Sequence, residues 1–117
     1  MKLHIIFLIS LIFVTERINF MIKHIILWKL KDSLSDNEKA EARAEAKRRL
    51  EALNGKIAGM IDLRVITDRL PSSTADMMLY SAFETAEALA GYQVNPLHVE
   101  AATYVRSVVD ARLCLDF

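Results

Sequence analysis

The stretch "MIKHIILWKLKD", Met21–Asp32, decides the fold because it alternates with the two-residue period of a β-strand. One face carries Ile26 and Trp28 at its centre. The other face carries Ile25 and Leu27, so both sides of the strand are apolar. A strand covered by helices on one side only needs no apolar residues on its second side, and we expect a further layer there. One small chain has no such layer left to supply.

The composition favours a single domain that acts on proteins or small molecules. The chain has 117 residues, of which 53% are hydrophobic, which suits one compact core and is too little for two full domains. Its 15 acidic and 15 basic residues balance, so the sequence offers no broad positive field for a nucleic acid and no polybasic segment for an anionic membrane. The single cysteine, Cys114, excludes a disulfide and a zinc site built from several cysteines within one chain. We therefore predict no nucleic-acid partner, no membrane partner and a cytoplasmic location.

An apolar segment, "MKLHIIFLISLIFV" at residues 1–14, precedes the first strand. It has the length of a signal peptide and is shorter than the roughly 20 residues that a spanning helix needs. The following "TERINF", residues 15–20, lacks the pair of small residues that a signal peptidase reads. Two interpretations stay open: a signal that makes the protein secreted or membrane-tethered, and an upstream extension from a misassigned start. We predict that residues 1–20 lie outside the fold and that residues 21–117 form the domain.

Helix and strand signals follow the first strand in a regular order. Ser35 and Glu38 form a capping box that opens a helix, and Gly55 is a stop signal after its last apolar residue. The alternating stretches "GMIDLRVITD", residues 59–68, and "DMMLYSAFE", residues 76–84, indicate two strands. The first of these strands is expected to turn three apolar residues to one face: Ile61, Leu63 and Val65.

The second half contains two short helices and a final strand. Thr85 is placed to cap one helix, and Asn95 followed by Pro96 restarts another, with proline in the first turn where its missing N–H costs least. The alternating stretch "RSVVDARLCLDF", residues 106–117, indicates the last strand. The resulting order β-α-β-β-α-β predicts an α+β, ferredoxin-like protomer with an antiparallel sheet and helices on one face.

His98 is the residue most suited to chemistry. With Pro96 as the first helical residue, His98 lies in the first turn and shares an inward stripe with Ala101 and Val105. The positive end of the helix dipole disfavours a second positive charge there. We therefore expect a neutral imidazole, which is the form that a general base needs.

Two further residues are expected near His98. His24 lies on the strand face that meets the helices, and Tyr92 ends the helix before Asn95. Two histidines and a phenol in an apolar pocket would supply an acid/base pair and a hydroxyl that stabilises an oxyanion. The alternative interpretation is structural, since buried polar groups usually have hydrogen-bond partners for stability alone. The sequence has no glycine-rich phosphate loop, no cysteine pair at metal spacing and no nucleophile elbow, so we predict neither a metal nor a cofactor.

Three longer stretches occur together in the chain: "MIKHIILWKLKD" at residues 21–32, "YSAFETAEALAGYQVNPLH" at residues 80–98 and "YVRSVVDARLCLDF" at residues 104–117. In content, order and spacing they resemble the stress-responsive dimeric α/β-barrel domain family, abbreviated Dabb, which includes plant olivetolic acid cyclase. The resemblance implies a ferredoxin-like protomer whose sheet packs face to face with that of a second copy. Such a homodimer closes a barrel and supplies the layer missing behind the first strand.

The resemblance also implies roles for individual residues. His98 and Tyr92 match the histidine and tyrosine that promote an aldol cyclisation without a cofactor in that cyclase, and His24 matches a pocket histidine. Asn95 stands where the cyclase has another histidine, and Trp28 replaces a smaller aliphatic residue. These departures argue against the long polyketide pocket of the cyclase.

Two functions follow from these expectations. The first is a dimeric stress-responsive domain that binds a small apolar or carbonyl ligand, or only a partner, and catalyses nothing. The second is a cofactor-independent cyclase, lyase or isomerase in which His98 is the general base and Tyr92 stabilises the developing oxyanion. The residues predicted to bind the ligand beside this pair are His24, Ile26, Trp28, Leu89 and Asn95.

Overall fold

The computed structural model describes residues 21–117, and the predicted N-terminal extension lies outside the described residues. Its elements are β1 (Ile22–Leu30), α1 (Asp36–Glu51), β2 (Met60–Ile66), β3 (Met77–Phe83), α2 (Ala86–Val94), α3 (Pro96–Val108) and β4 (Val109–Asp116). This order is the predicted one, with the second helical part divided in two. None of the described helices combines the length and the apolar character that a membrane span requires.

The strands form one 4-stranded sheet in the order β2-β3-β1-β4, and every neighbouring pair is antiparallel. The helices pack on one face of this sheet, and the core lies between them and that face. This arrangement confirms the predicted ferredoxin-like α+β protomer. Its fully buried apolar side chains come from both layers and include Ile26, Leu30, Leu50, Leu63, Leu79 and Phe83.

The first helix begins where the sequence predicts and ends earlier. Ser35 Oγ accepts a hydrogen bond from the Glu38 N–H at 3.1 Å, and the Ser35 N–H donates to Glu38 Oε1 at 2.9 Å, which completes the capping box. The helix ends at Glu51 with Ala52 as its C-cap, so the prediction that Gly55 stops it directly is wrong. Gly55 has a φ of 80° in the turn beyond the helix, a conformation that glycine adopts without steric cost.

Ile61 departs from the alternation expected for β2. Leu63 and Val65 are buried as predicted, whereas 48% of the Ile61 surface is exposed. The pairing of β2 with β3 shifts register between Met60 and Asp62, which makes Ile61 the extra residue of a bulge. A bulge breaks the two-residue period locally, so the predicted position of Ile61 on the buried face is wrong.

The last strand starts three residues later than predicted. Residues 106–108 belong to α3, and β4 begins at Val109. Val105 and Val108 fit the spacing of a helical stripe, while the same short segment also fits the alternation of a strand. Helical hydrogen bonding that begins at the Asn95 cap carries the helix through this ambiguous segment.

No helix of residues 21–117 covers the second face of the sheet. Antiparallel pairing places Ile25 beside Leu115 and Leu27 beside Leu113, and Met78 of β3 lies opposite Leu27 on the other side. The exposed fractions are 38% for Leu27, 71% for Leu113 and 64% for Leu115. We call this surface of five apolar residues the open face. Strand β1 therefore has the two apolar faces that its sequence predicts, and the described helices cover only one of them.

Candidate functional site

A cavity of about 250 Å³ lies between the sheet and α3. Its wall includes His24, Ile26 and Trp28 from β1, Tyr92 from α2 and His98 from α3. The cavity thus joins the three polar side chains that the sequence predicts to converge. Most of the remaining wall is aliphatic: Leu50, Leu79, Ala102, Val105 and Val109.

Tyr92 lies at the centre of this cluster. It is 1% exposed, and its ring packs against that of Phe83 with the ring centroids 5.0 Å apart. The centroid of the Tyr92 ring is 4.0 Å from that of His98 and 6.1 Å from that of His24. The phenol therefore bridges the two imidazoles.

The Tyr92 hydroxyl has no hydrogen-bond partner among residues 21–117, although its oxygen is buried. An unpaired buried polar group costs about 1–3 kcal/mol, and native structures contain few of them. Burial also raises the pKa of the Tyr92 phenol above its ordinary value. The hydroxyl is therefore protonated at neutral pH and available as a donor.

Asn95 sets the distance between Tyr92 and His98. It is at once the C-cap of α2 and the N-cap of α3. Its backbone N–H donates to the Tyr92 carbonyl at 3.2 Å, and its side-chain oxygen accepts from the Leu97 N–H at 2.9 Å. Pro96 follows in the first turn of α3, where it disturbs no helical hydrogen bond. This boundary places His98 in that turn, against the Tyr92 ring.

The His98 imidazole is half-buried and mostly neutral at pH 7. Burial lowers its pKa, which outweighs the opposing effect of a weak hydrogen bond between Nδ1 and the Gln93 carbonyl oxygen at 3.4 Å. The positive charges of nearby arginines lower the pKa further. The direction agrees with the sequence-based expectation, but burial rather than the helix dipole is the main cause. A neutral imidazole can accept a proton.

His24 is the deepest of the three polar residues, with 3% of its surface exposed. Its Nδ1 lies 2.5 Å from Asp116 Oδ1. Burial opposes ionisation of Asp116, but the hydrogen bond from His24 and the charge of Arg112 lower the pKa of this carboxyl overall. Asp116 is therefore ionised near neutral pH and fixes the orientation of the His24 ring.

Three β4 residues at the site are absent from the sequence-based expectations: Arg112, Cys114 and Asp116. Antiparallel pairing sets Asp116 opposite His24 and Cys114 opposite Ile26. Since alternate residues of a strand share a face, all three β4 side chains lie on the side of the sheet that carries the cavity. The alternation of β4 was readable in the sequence, but its register against β1 was not.

Two arginines add positive charge to the cavity wall. Arg106 of α3 and Arg112 of β4 both line it. Within residues 21–117, neither guanidinium forms an ion pair with a carboxylate. Guanidinium groups bind anionic and strongly polarised oxygens well, so this part of the wall is suited to a carbonyl or carboxylate oxygen.

The sequence model of the stress responsive A/B barrel domain family, Dabb, matches residues 22–117. The chain belongs to this family. The match confirms the resemblance that the three long sequence stretches indicate. No curated protein matches the chain.

Three solved structures show what this Dabb domain is similar to. A dimeric protein of unknown function from Bacteroides fragilis is 32% identical, with a TM-score of 0.78 over 83% of this chain and 94% of its own. A protein from Arabidopsis thaliana is 27% identical, with a TM-score of 0.62 over 82% of this chain and 92% of its own. A hydroxynitrile lyase from Passiflora edulis is 17% identical, with a TM-score of 0.63 over 83% of this chain and 91% of its own, a likeness of fold alone.

The cavity of the Dabb domain includes only part of the predicted ligand-binding set. His24, Ile26 and Trp28 line it, and their contact with a ligand stays a prediction. Leu89 and Asn95 do not line it. Leu89 is 8% exposed and belongs to the core, because its position on α2 turns it toward the sheet, and Asn95 is occupied at the helix boundary. The ligand contacts of these two residues also stay a prediction.

Proposed function

We propose that this Dabb protein is a homodimer that binds a small apolar or carbonyl ligand in the cavity between β1 and α3. The observation that carries the proposal is the buried, unpartnered Tyr92 hydroxyl in a largely apolar wall. A ligand oxygen that accepts a hydrogen bond from this hydroxyl would remove a penalty of about 1–3 kcal/mol. Apolar cavities with a few placed polar groups are the usual form of small-molecule sites.

The size and charge of the cavity narrow the class of ligand. Its volume of about 250 Å³ is slightly below the range of about 300–1,000 Å³ for drug-sized ligands, which favours a compact molecule. Ile26 and Trp28 offer contacts for an apolar body, while Arg106 and Arg112 attract a polarised oxygen. A compact aromatic ketone or aldehyde combines both properties.

The open face supports the homodimer. Contiguous exposed apolar surface on a soluble domain usually marks an interface, and a two-fold dimer would bury the same face of both copies. The Bacteroides fragilis protein, which is 32% identical over most of the chain, is described as dimeric. Two sheets packed through their open faces would form the barrel for which the family is named.

Binding can be tested with acetophenone as the probe and amide chemical shifts as the readout. Ala102 lines the cavity, so Ala102→Phe should fill it and abolish the shifts that acetophenone induces in the parent protein. Ala40 is exposed on α1, so Ala40→Phe adds the same ring elsewhere and should bind like the parent. Equal binding by Ala102→Phe, or no binding by the parent at millimolar probe, would contradict the proposed site.

A second function is favoured by the geometry of one pair of residues. The His98 imidazole, neutral through burial, lies 4.0 Å from the ring of a protonated Tyr92. In a cofactor-independent lyase, cyclase or isomerase, His98 would remove a proton from the substrate while Tyr92 donates a hydrogen bond to the oxygen that gains charge. The resulting imidazolium would return the proton to the product or leaving group. The Tyr92 oxygen is covered, so substrate entry must first displace a neighbouring side chain.

The fold shared with the Passiflora edulis hydroxynitrile lyase makes cleavage of a cyanohydrin the reaction to test first. Mandelonitrile is a suitable probe, because release of benzaldehyde is followed by absorbance. His98→Ala should lower the rate at least about 100-fold, the lower end of the contribution of a general base. Tyr92→Phe should lower the rate by more than it weakens binding, since its hydroxyl also acts on charge that develops in the transition state. A parent protein that releases benzaldehyde no faster than buffer would exclude this reaction and leave the binding function intact.

A further inference from the structure

Three metal-ligating side chains meet where the end of β4 pairs with the start of β1. His24 is directly opposite Asp116, and Cys114 lies two residues before Asp116 on the same face. One nitrogen, one sulfur and one carboxylate oxygen from these residues all lie within 4.8 Å of one another. Strand pairing brings His24 together with residues that are 90 or more positions away in the chain, so no local sequence motif indicates the cluster.

We propose that His24, Cys114 and Asp116 bind one divalent transition-metal ion of the zinc type. The proposal does not rest on ligand binding in the cavity, because Cys114 and Asp116 are not part of the cavity wall, although His24 belongs to both sites. It replaces the expectation from the sequence alone that the chain has no metal site.

The spacing of the donor atoms is close to that of a tetrahedral site. Zinc with bond lengths of about 2.0–2.1 Å to nitrogen and oxygen and about 2.3 Å to sulfur needs donor atoms about 3.3–3.6 Å apart. Cys114 Sγ is 3.4 Å from Asp116 Oδ1 and 3.8 Å from His24 Nδ1. His24 Nδ1 and Asp116 Oδ1, now 2.5 Å apart in a hydrogen bond, must separate by somewhat less than an ångström. The exposed Asp116 side chain has room to make that adjustment.

The donor types select the class of ion. A thiolate and an imidazole are ligands for zinc, cobalt and related ions, whereas magnesium and calcium require oxygen donors. With both side chains ionised, Cys114 and Asp116 would supply two negative charges that balance the charge of the ion. The positive charge of Arg112, which lies on the same face, would repel the ion and partly offset this attraction. Three protein ligands leave one tetrahedral position for solvent, as in open zinc sites.

The site combines one rigid ligand with two accessible ones. His24 is 3% exposed, and its backbone carbonyl accepts a hydrogen bond from the buried Ser81 hydroxyl at 2.9 Å, so β1 holds it in place. Cys114 and Asp116 are exposed, so an ion can enter from solvent without opening of the core. A buried histidine with two ligands exposed to solvent suits reversible binding.

The test uses the full chain under reducing conditions and cobalt(II) as a spectroscopic probe. We expect one ion per chain, with a thiolate-to-cobalt charge-transfer absorption and the visible bands of a tetrahedral ion. Cys114→Ser should remove the charge-transfer absorption. In zinc competition against a chromophoric chelator, Cys114→Ser and Asp116→Asn should each weaken binding at least tenfold, since loss of even an outer-shell partner weakens metal binding about 10–100-fold.

Asp110→Asn is the matched control, because Asp110 is an exposed carboxylate on the same strand and is outside the cluster. It should leave the zinc affinity unchanged. Circular dichroism will show whether each variant is folded. We expect all of them to fold, because the substituted side chains are exposed. Zinc affinity that is equal in the parent, Cys114→Ser and Asp116→Asn, or bound cobalt without sulfur charge transfer, would overturn the proposal and leave His24 and Asp116 as a structural hydrogen-bonded pair.

Discussion

The two faces of the sheet are built from the same strands, but each departs in its own way from the rule that apolar side chains are buried and polar ones are exposed. On the covered face, Ile26 is 1% exposed, and the exception is the Tyr92 hydroxyl, which α2 buries against this face without a partner in residues 21–117. On the open face, the exceptions are apolar residues such as Leu113, which is 71% exposed. Buried polar groups are costly without partners, and exposed apolar clusters are costly in water. These two features are the basis of the two proposed partners, a small molecule on the covered face and a second copy of the sheet on the open face.

The largest effect is expected from a charge on the open face. Leu27→Asp places a carboxylate at the centre of the proposed interface and should dissociate the dimer or unfold the chain, because an unpaired buried charge costs several kcal/mol. Light scattering measures the mass directly. Val94→Asp is the control, since Val94 is 76% exposed at the end of α2 on the helical side, and it should remain dimeric. A folded, dimeric Leu27→Asp protein would mean that the open face is not the interface.

Truncation of one leucine on each face should distinguish packing within the protomer from packing between two protomers. Leu79 is 2% exposed in the core, so Leu79→Ala should lower the free energy of unfolding by about 2–5 kcal/mol. Leu113→Ala should act mainly on association, so its effect should disappear at concentrations low enough for the parent dimer to dissociate. Urea denaturation at several protein concentrations measures both effects. A loss for Leu113→Ala that persists at concentrations where the parent is dissociated would place Leu113 in the core of the protomer.

Removal of the unpartnered phenol oxygen should stabilise the ligand-free protein. Tyr92→Phe keeps the ring between Phe83 and His98 and deletes a buried donor that has no partner in residues 21–117. The free energy of unfolding should rise by about 1–3 kcal/mol. Tyr104→Phe, on the half-buried Tyr104, should change it by less than about 0.5 kcal/mol. A clear loss of stability in Tyr92→Phe would show that water or another group already accepts from the hydroxyl.

The smallest effect concerns the pH dependence that His98 contributes. Its pKa is lowered in the folded protein, chiefly by burial, so the unfolded chain takes up the proton first, near its ordinary pKa of about 6.5. Stability from this residue is complete above that pH and decreases as the pH falls from about 6.5 toward the folded pKa. The difference in melting temperature between the parent and His98→Asn, measured from pH 7.5 to 5, isolates this contribution. A difference that does not change with pH would mean that burial leaves the His98 pKa unshifted.

Local signals in the sequence were reliable wherever neighbouring residues settle the structure. The Ser35 and Glu38 capping box and the Asn95–Pro96 restart both form hydrogen bonds within a few residues, and both were predicted. The alternation of β1 correctly indicated two apolar faces. The resemblance to the Dabb family then identified the fold over nearly all of residues 21–117.

The features that the sequence did not reveal depend on strand register, or lie in short segments that fit both the helical and the strand period. Asp116 meets His24 across 92 residues, and only the pairing of β4 with β1 brings them together. The bulge at Ile61 and the helical state of residues 106–108 arise because short segments satisfy more than one period, and tertiary contacts choose between them. Side-chain direction on α2, which removes Leu89 from the cavity, is likewise settled by packing.

Because Asn95 caps both helices, the number of residues between Tyr92 and His98 fixes how their side chains are oriented relative to each other. One residue ends a helix and begins the next, so an inserted or deleted residue would rotate His98 by about 100° away from the phenol. A spacing of this kind tolerates substitution around it but not a change of length. The length of the interval between the tyrosine and the histidine can therefore distinguish Dabb chains able to form this paired site from chains that share the fold alone.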